Sequence, residues 1–230
     1  SVAYKAKIER EGKNLPPKIE ESLKTLEGEK NKRIREIEKP FKSKGDVSKV
    51  DAQALIKAAE KNLQFNHREL VNEYENLFEH TQVLIREDLK QEYHRYIESL
   101  FESSKQLNLP FLEGVRKAVG DISFNLSLAE NEVHKKNVVV GKRTVSVSRW
   151  YKPWSWGKSE TVNVYEEQDF VDLEALWKER AVSIENAFNA LVSNARKQIK
   201  DGQESLVKQY VSFMSSEFER EFNKLMDSLK

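Results

Sequence analysis

Apolar residues recur at helical spacing along most of this chain. Pro16 and Pro17 open the first such segment, predicted as a helix to about Lys39. Ile19, Leu23, Leu26, Ile34 and Ile37 form its stripe, and Pro40 is expected to stop it. Lys42 to Asp46 reads as a turn around Gly45. A second periodic segment runs from about Ser48 to Lys105. Ile56, Leu63, Leu70, Leu77 and Leu84 recur every seven residues there, and Val71, Tyr74, Phe78, Thr81, Ile85 and Leu89 widen the face. Neither Gly nor Pro interrupts it; a break is open only at the polar stretch Gln64–Glu69. The wide stripe favours an intrachain core over a narrow two-stranded seam. After a turn at Leu107–Pro110, a shorter helix is expected from about Phe111 to Lys135, with Val115, Val119, Ile122, Leu126 and Val133 on its buried side.

The texture then changes. Val138–Val140, Thr144–Ser148 and Glu160–Tyr165 are rich in β-branched residues with period-two alternation. They predict a β-hairpin over about 137–166, closed by a long aromatic loop. Asp169 is the expected N-cap of a last helix from about Phe170 to near the end. The stripe of that helix is Leu173, Trp177, Ala181, Ile184, Phe188, Leu191, Ala195, Ile199, Gly202, Leu206, Tyr210 and Phe213. Long helices that are apolar along one stripe must cover one another or a partner. The expected fold is therefore mainly α: an elongated antiparallel bundle of three to four helices with an inserted β-hairpin, one domain over 1–230.

Composition sharpens this reading. The chain has 230 residues, of which 33% are charged, with 39 basic against 38 acidic residues and no cysteine. Disulfides and cysteine-based zinc sites are excluded. No apolar run is long enough to span a membrane as a helix, and no signal peptide is legible. The expected location is cytoplasmic, with peripheral association at a membrane left open. The first residue is Ser1, which suits a piece cut from a longer protein.

The segment Val133–Ser159 stands apart. It holds seven basic residues, no Asp or Glu, and three of the four tryptophans. Trp150, Tyr151, Trp154 and Trp156, with Lys142, Arg143, Arg149, Lys152 and Lys158, are the candidate contact residues. Indoles suit half-wet interfaces, and cations beside them suit an anionic lipid surface or single-stranded nucleic acid. The near-neutral whole disfavours nucleic acid. The competing reading has the tryptophans sealing the bundle.

Catalytic chemistry finds little support. Gly157-Lys158-Ser159 lacks the first glycine of a phosphate loop, since position 152 is Lys152 and Pro153 donates no N–H. His67, His80, His94 and His134 do not make a metal-binding pattern and read as surface or stripe-edge residues. The pairs Glu69/Glu73 and Glu217/Glu221 are ordinary helix spacings in an acid-rich chain. No cofactor or active site is expected.

A long helix, a short helix, a basic hairpin bearing Arg149-Trp150-Tyr151-Lys152-Pro153-Trp154-Ser155-Trp156, the return strand Thr161–Tyr165 and a second long helix follow in order. This arrangement, over roughly 48–230, resembles the helical region C-terminal to the GTPase domain of bacterial dynamin-like proteins. The resemblance implies a non-catalytic stalk that self-assembles, a GTPase head elsewhere in a longer parent chain, and a membrane-associated or partner-contacting tip at the hairpin. The alternative is a coiled-coil scaffold or tether for another protein, its tryptophans buried.

Overall fold

The computed structural model describes residues 14–92, 123–147 and 158–228. The protein is mainly helical, with a small antiparallel sheet. Among the described residues the elements run α1 (Pro17–Lys44), β1 (Asp46–Ser48), α2 (Lys49–Glu92), a 3₁₀ turn (Glu130–Glu132), β2 (Val133–Val147), β3 (Lys158–Asp172) and α3 (Leu173–Ser228). Sheet order is β1-β3-β2, both pairings antiparallel.

Local chemistry sets several of these boundaries. Ser48 caps α2: its hydroxyl accepts from the Asp51 amide at 3.2 Å and donates to the Asp51 carboxylate at 2.7 Å. Gly45, at φ +61°, supplies the left-handed residue that ends α1, and its carbonyl accepts from Leu173 N–H at 3.3 Å. Pro40 does not stop α1. The helix continues through it to Lys44 because Phe41, 1% exposed, packs on Trp177 with ring centroids 5.0 Å apart. That burial outweighs the one backbone bond proline removes. Nor does α2 break at Gln64–Glu69.

Two expected elements are corrected. The described end of the anticipated 111–135 helix, from Ser123 onward, is irregular chain, the 3₁₀ turn and the start of β2. Val133 lies opposite Val171 in the sheet and is not on a helix face. The last helix begins at Leu173, not Phe170, and its cap is Asp172, whose Oδ1 accepts from Glu174 N–H at 3.0 Å and Ala175 N–H at 3.1 Å. Asp169 instead lies within β3, 3.5 Å from Lys49 Nζ. Residues 93–122, including the expected turn at Leu107–Pro110, lie outside the described residues.

The contacts divide into two compact units. The first comprises the described parts of Ser1–Arg35, Leu63–Ser123 and Ser183–Lys230. Its core holds Ile19, Leu23, Leu63, Leu70, Tyr74, Phe78, Ile85, Phe188, Ala195 and Ile199. Of the heptad leucines in this unit, Leu63, Leu70 and Leu77 are buried and Leu84 is half-buried. Lys30 Nζ donates to Asn189 at 2.6 Å and Arg196 to Glu20 at 2.5 Å, so α1 and α3 run in opposite directions in this unit. His67 meets Phe188 edge-on at 5.1 Å, and Phe78 lies against Gly202, so α2 and α3 run the same way there. An up-and-down bundle would alternate all neighbours.

The second unit comprises Glu36–Asn62 and the described parts of Phe124–Val182. Ile37, Phe41, Ala52, Ile56, Ala59, Leu126, Val171, Leu173, Leu176 and Trp177 form its core. Trp177 Nε1 donates to Glu38 at 3.0 Å. A strap, residues 124–132, is held at Leu126 N–H by Glu60 (2.7 Å) and at Glu132 and Ser127 O by Arg180.

Candidate functional site: a two-faced basic ribbon

β2 and β3 form a hairpin of 15 residues per strand, longer at the base than the alternation alone outlined and, on β3, longer toward the loop as well. The extra residues at the base, His134 to Lys136 and Glu166 to Asp172, are mostly polar and carry no apolar alternation. They pair because the base is anchored. β1 lies against β3 from Ser48↔Phe170 to Asp46↔Asp172. Lys136 forms an ion pair with Asp46 and sits over the Phe170 ring at 5.7 Å from its centroid. His134 Nε2 is 3.5 Å from the same Asp46 carboxylate. The hydrogen bond from Lys136 is the main cause that holds the Asp46 carboxyl below its ordinary value. On the opposite face, Lys135 reaches Glu167 at 3.3 Å.

Beyond this base the ribbon is bare. Residues 135–137, 139, 140 and 142–145 of β2, and 159–163 and 165–168 of β3, are exposed. The register slips at Val139/Gly141, leaving Val140 as the extra residue of a bulge. Past the bulge Lys142 is opposite Asn163 and Arg143 opposite Val162, which puts these two cations on opposite faces. One face also exposes Val139 (46%) and Tyr165 (59%), the other Val145 (36%) and Val162 (39%).

The candidate residues therefore fall into three groups. Lys142 and Arg143 are exposed and have no ion-pair partner among the described residues. Lys158 opens β3 opposite Val147. Arg149, Trp150, Tyr151, Lys152, Trp154 and Trp156 lie outside the described residues. The fourth tryptophan, Trp177, is 3% exposed and belongs to the core of the second unit.

Sequence reasoning missed the anchoring set Asp46, His134 and Lys136. Asp46 lies 90 residues from Lys136, and no local pattern ties them. It also misplaced His67, which is 2% exposed within the α2 stripe, its imidazole pKa lowered chiefly by burial. Among the described residues no group of three or more His, Asp or Glu could hold a metal ion, and no helix is long and apolar enough to cross a membrane. Comparison with protein families, curated proteins and solved structures finds no match for this chain.

Proposed function

We propose that this chain is a non-catalytic helical stalk and assembly module of a dynamin-like GTPase, its hairpin contacting an anionic membrane surface. The head that hydrolyses GTP belongs to another part of the parent protein, and the long helices form the bundle that carries the ribbon. The resemblance of the helix–hairpin–helix order supports the family. One observation carries the contact: cations at the hairpin base are neutralised by Asp46 and Glu167, while Lys142 and Arg143, further along β2 toward the Trp-rich loop, are exposed without an ion-pair partner among the described residues.

Each cation near an anionic leaflet contributes about 1 kcal/mol. Co-sedimentation with vesicles containing anionic lipid should exceed that with neutral vesicles. Replacing Lys142 and Arg143 with Gln should weaken it roughly 30-fold. The Trp150→Ala, Trp154→Ala, Trp156→Ala protein should lose residual binding at high salt, where only indole insertion persists. Equal binding to neutral and anionic vesicles would reject the membrane role. The scaffold alternative gains if indole fluorescence of the free protein is blue and shielded from quencher.

A further inference from the structure

The two strands of the ribbon carry opposite charge. β2 holds Lys135, Lys136, Lys142 and Arg143 with no acid, a net +4. β3 holds Glu160, Glu166, Glu167, Asp169 and Asp172 against Lys158, a net −4. Both strands also keep an open edge among the described residues. β2 is the outer strand of the sheet, and β1 covers β3 only from Phe170 to Asp172. The remaining edges turn unpaired N–H and C=O groups outward at every second residue.

A lone two-stranded ribbon is marginal in water, and strands of 15 residues are far longer than usual. Further strands would stabilise it. The charges decide which strands fit. β2 against β2 of another copy opposes Lys142 and Arg143, unpaired among the described residues, to the same two cations, and β3 against β3 opposes Glu160 and Glu166 to their own kind. Only β3 against β2 cancels. That pairing is antiparallel, as in the hairpin itself, and places each hairpin beside the next in one growing sheet. It is a head-to-tail contact, using two different edges, and does not close on itself as a twofold dimer does.

We infer that the occupant of the open ribbon edges is a second copy of this chain, with β3 of one copy pairing to β2 of the next. The inference deepens the assembly half of the proposed function by naming its surface. It needs no lipid, so its failure leaves the vesicle result standing, and the converse holds too.

The test uses two charge reversals in the full chain. Glu160→Lys with Glu166→Lys makes the outer half of β3 basic like that of β2, and Lys142→Glu with Arg143→Glu makes the outer half of β2 acidic like that of β3. Glu167, Lys135 and Lys136 keep their anchoring pairs. Sedimentation velocity in low salt, without vesicles, should show the unaltered protein forming a concentration-dependent series of oligomers that salt dissolves. Each reversed protein alone should remain monomeric. Mixed, the two should associate again, because one now offers basic outer halves on both strands and the other acidic ones. Restored association also demonstrates that both are folded. A monomeric unaltered protein in low salt overturns the inference, as do reversed proteins that assemble like the original, or a mixture of them that stays monomeric while each keeps its helical circular dichroism.

Discussion

Arg180 grips Glu132 with two parallel hydrogen bonds, Nη1 to Oε1 at 2.6 Å and Nη2 to Oε2 at 2.9 Å. The same guanidinium donates to Ser127 O at 2.8 Å, so one α3 side chain fastens the strap to the second unit. The side chains are 17% and 11% exposed. Arg180→Ala should lower stability by about 1–2 kcal/mol, because the part-buried Glu132 carboxylate and the Ser127 carbonyl lose their charged donor. Urea unfolding followed by circular dichroism measures it.

The Arg180 hydrogen bond is the main cause that holds the Glu132 carboxyl below its ordinary value of 4.5. The folded form keeps this carboxylate ionised to lower pH than the unfolded chain does. The resulting stability is complete above about pH 4.5 and is lost as pH falls through the lowered value. Glu132→Gln should flatten this acid limb in a plot of urea midpoint against pH.

His67 acts in a different window. Burial lowers its pKa from 6.5, and a hydrogen bond to the Ala187 carbonyl opposes this only in part. The unfolded chain therefore takes up a proton that the folded chain refuses. Stability is full above about pH 6.5 and falls as pH drops below it. His67→Leu should remove the decline that begins near pH 6.5 and leave the Glu132 limb in place.

A Cβ at Gly202 would lie 2.6 Å from the Phe78 ring, which is itself only 4% exposed. Alanine normally gains about 1 kcal/mol over glycine inside a helix. At Gly202 overpacking should reverse the sign, for a net loss of about 1 kcal/mol. At Gly28, where nothing lies within 4 Å, Gly28→Ala should show the gain. Thermal unfolding of both variants checks the contrast.

Tyr74 is fully buried, and its hydroxyl has no hydrogen-bond partner among the described residues. Burial, with Glu27 and Glu73 nearby, pushes its pKa up to about 12. An unpaired buried hydroxyl carries its desolvation penalty uncompensated. Tyr74→Phe should leave the melting temperature unchanged or raise it slightly.

The helical stripes were legible because each position repeats its evidence every turn: Leu63, Leu70, Ile184, Phe188 and Ile199 are all core residues, as their spacing indicates. The exceptions arise where distant partners decide. Phe41 carries α1 through Pro40 because Trp177 waits across the fold. β1 has only three residues and exists because β3 pairs with it. Asp169 and Asp172 are equally good caps in isolation; the ladder to β1 occupies Phe170–Asp172 and leaves the cap to Asp172. The basic tip was visible as composition, whereas its neutralised base was not, because Asp46 reaches it from far along the chain.

α1 meets its partners late in synthesis. Asn14, Glu20 and Lys30 contact Gln203, Arg196 and Asn189, separations of 189, 176 and 159 residues. A ribosome making this chain releases the first helix long before the last one exists. Until then Ile19 and Leu23 have no α3 surface to bury against, and their exposed apolar faces are the kind of transient surface chaperones shield. A ribosome that stalls within α3 would leave α1 uncovered as well, so damage in one helix is felt in the other.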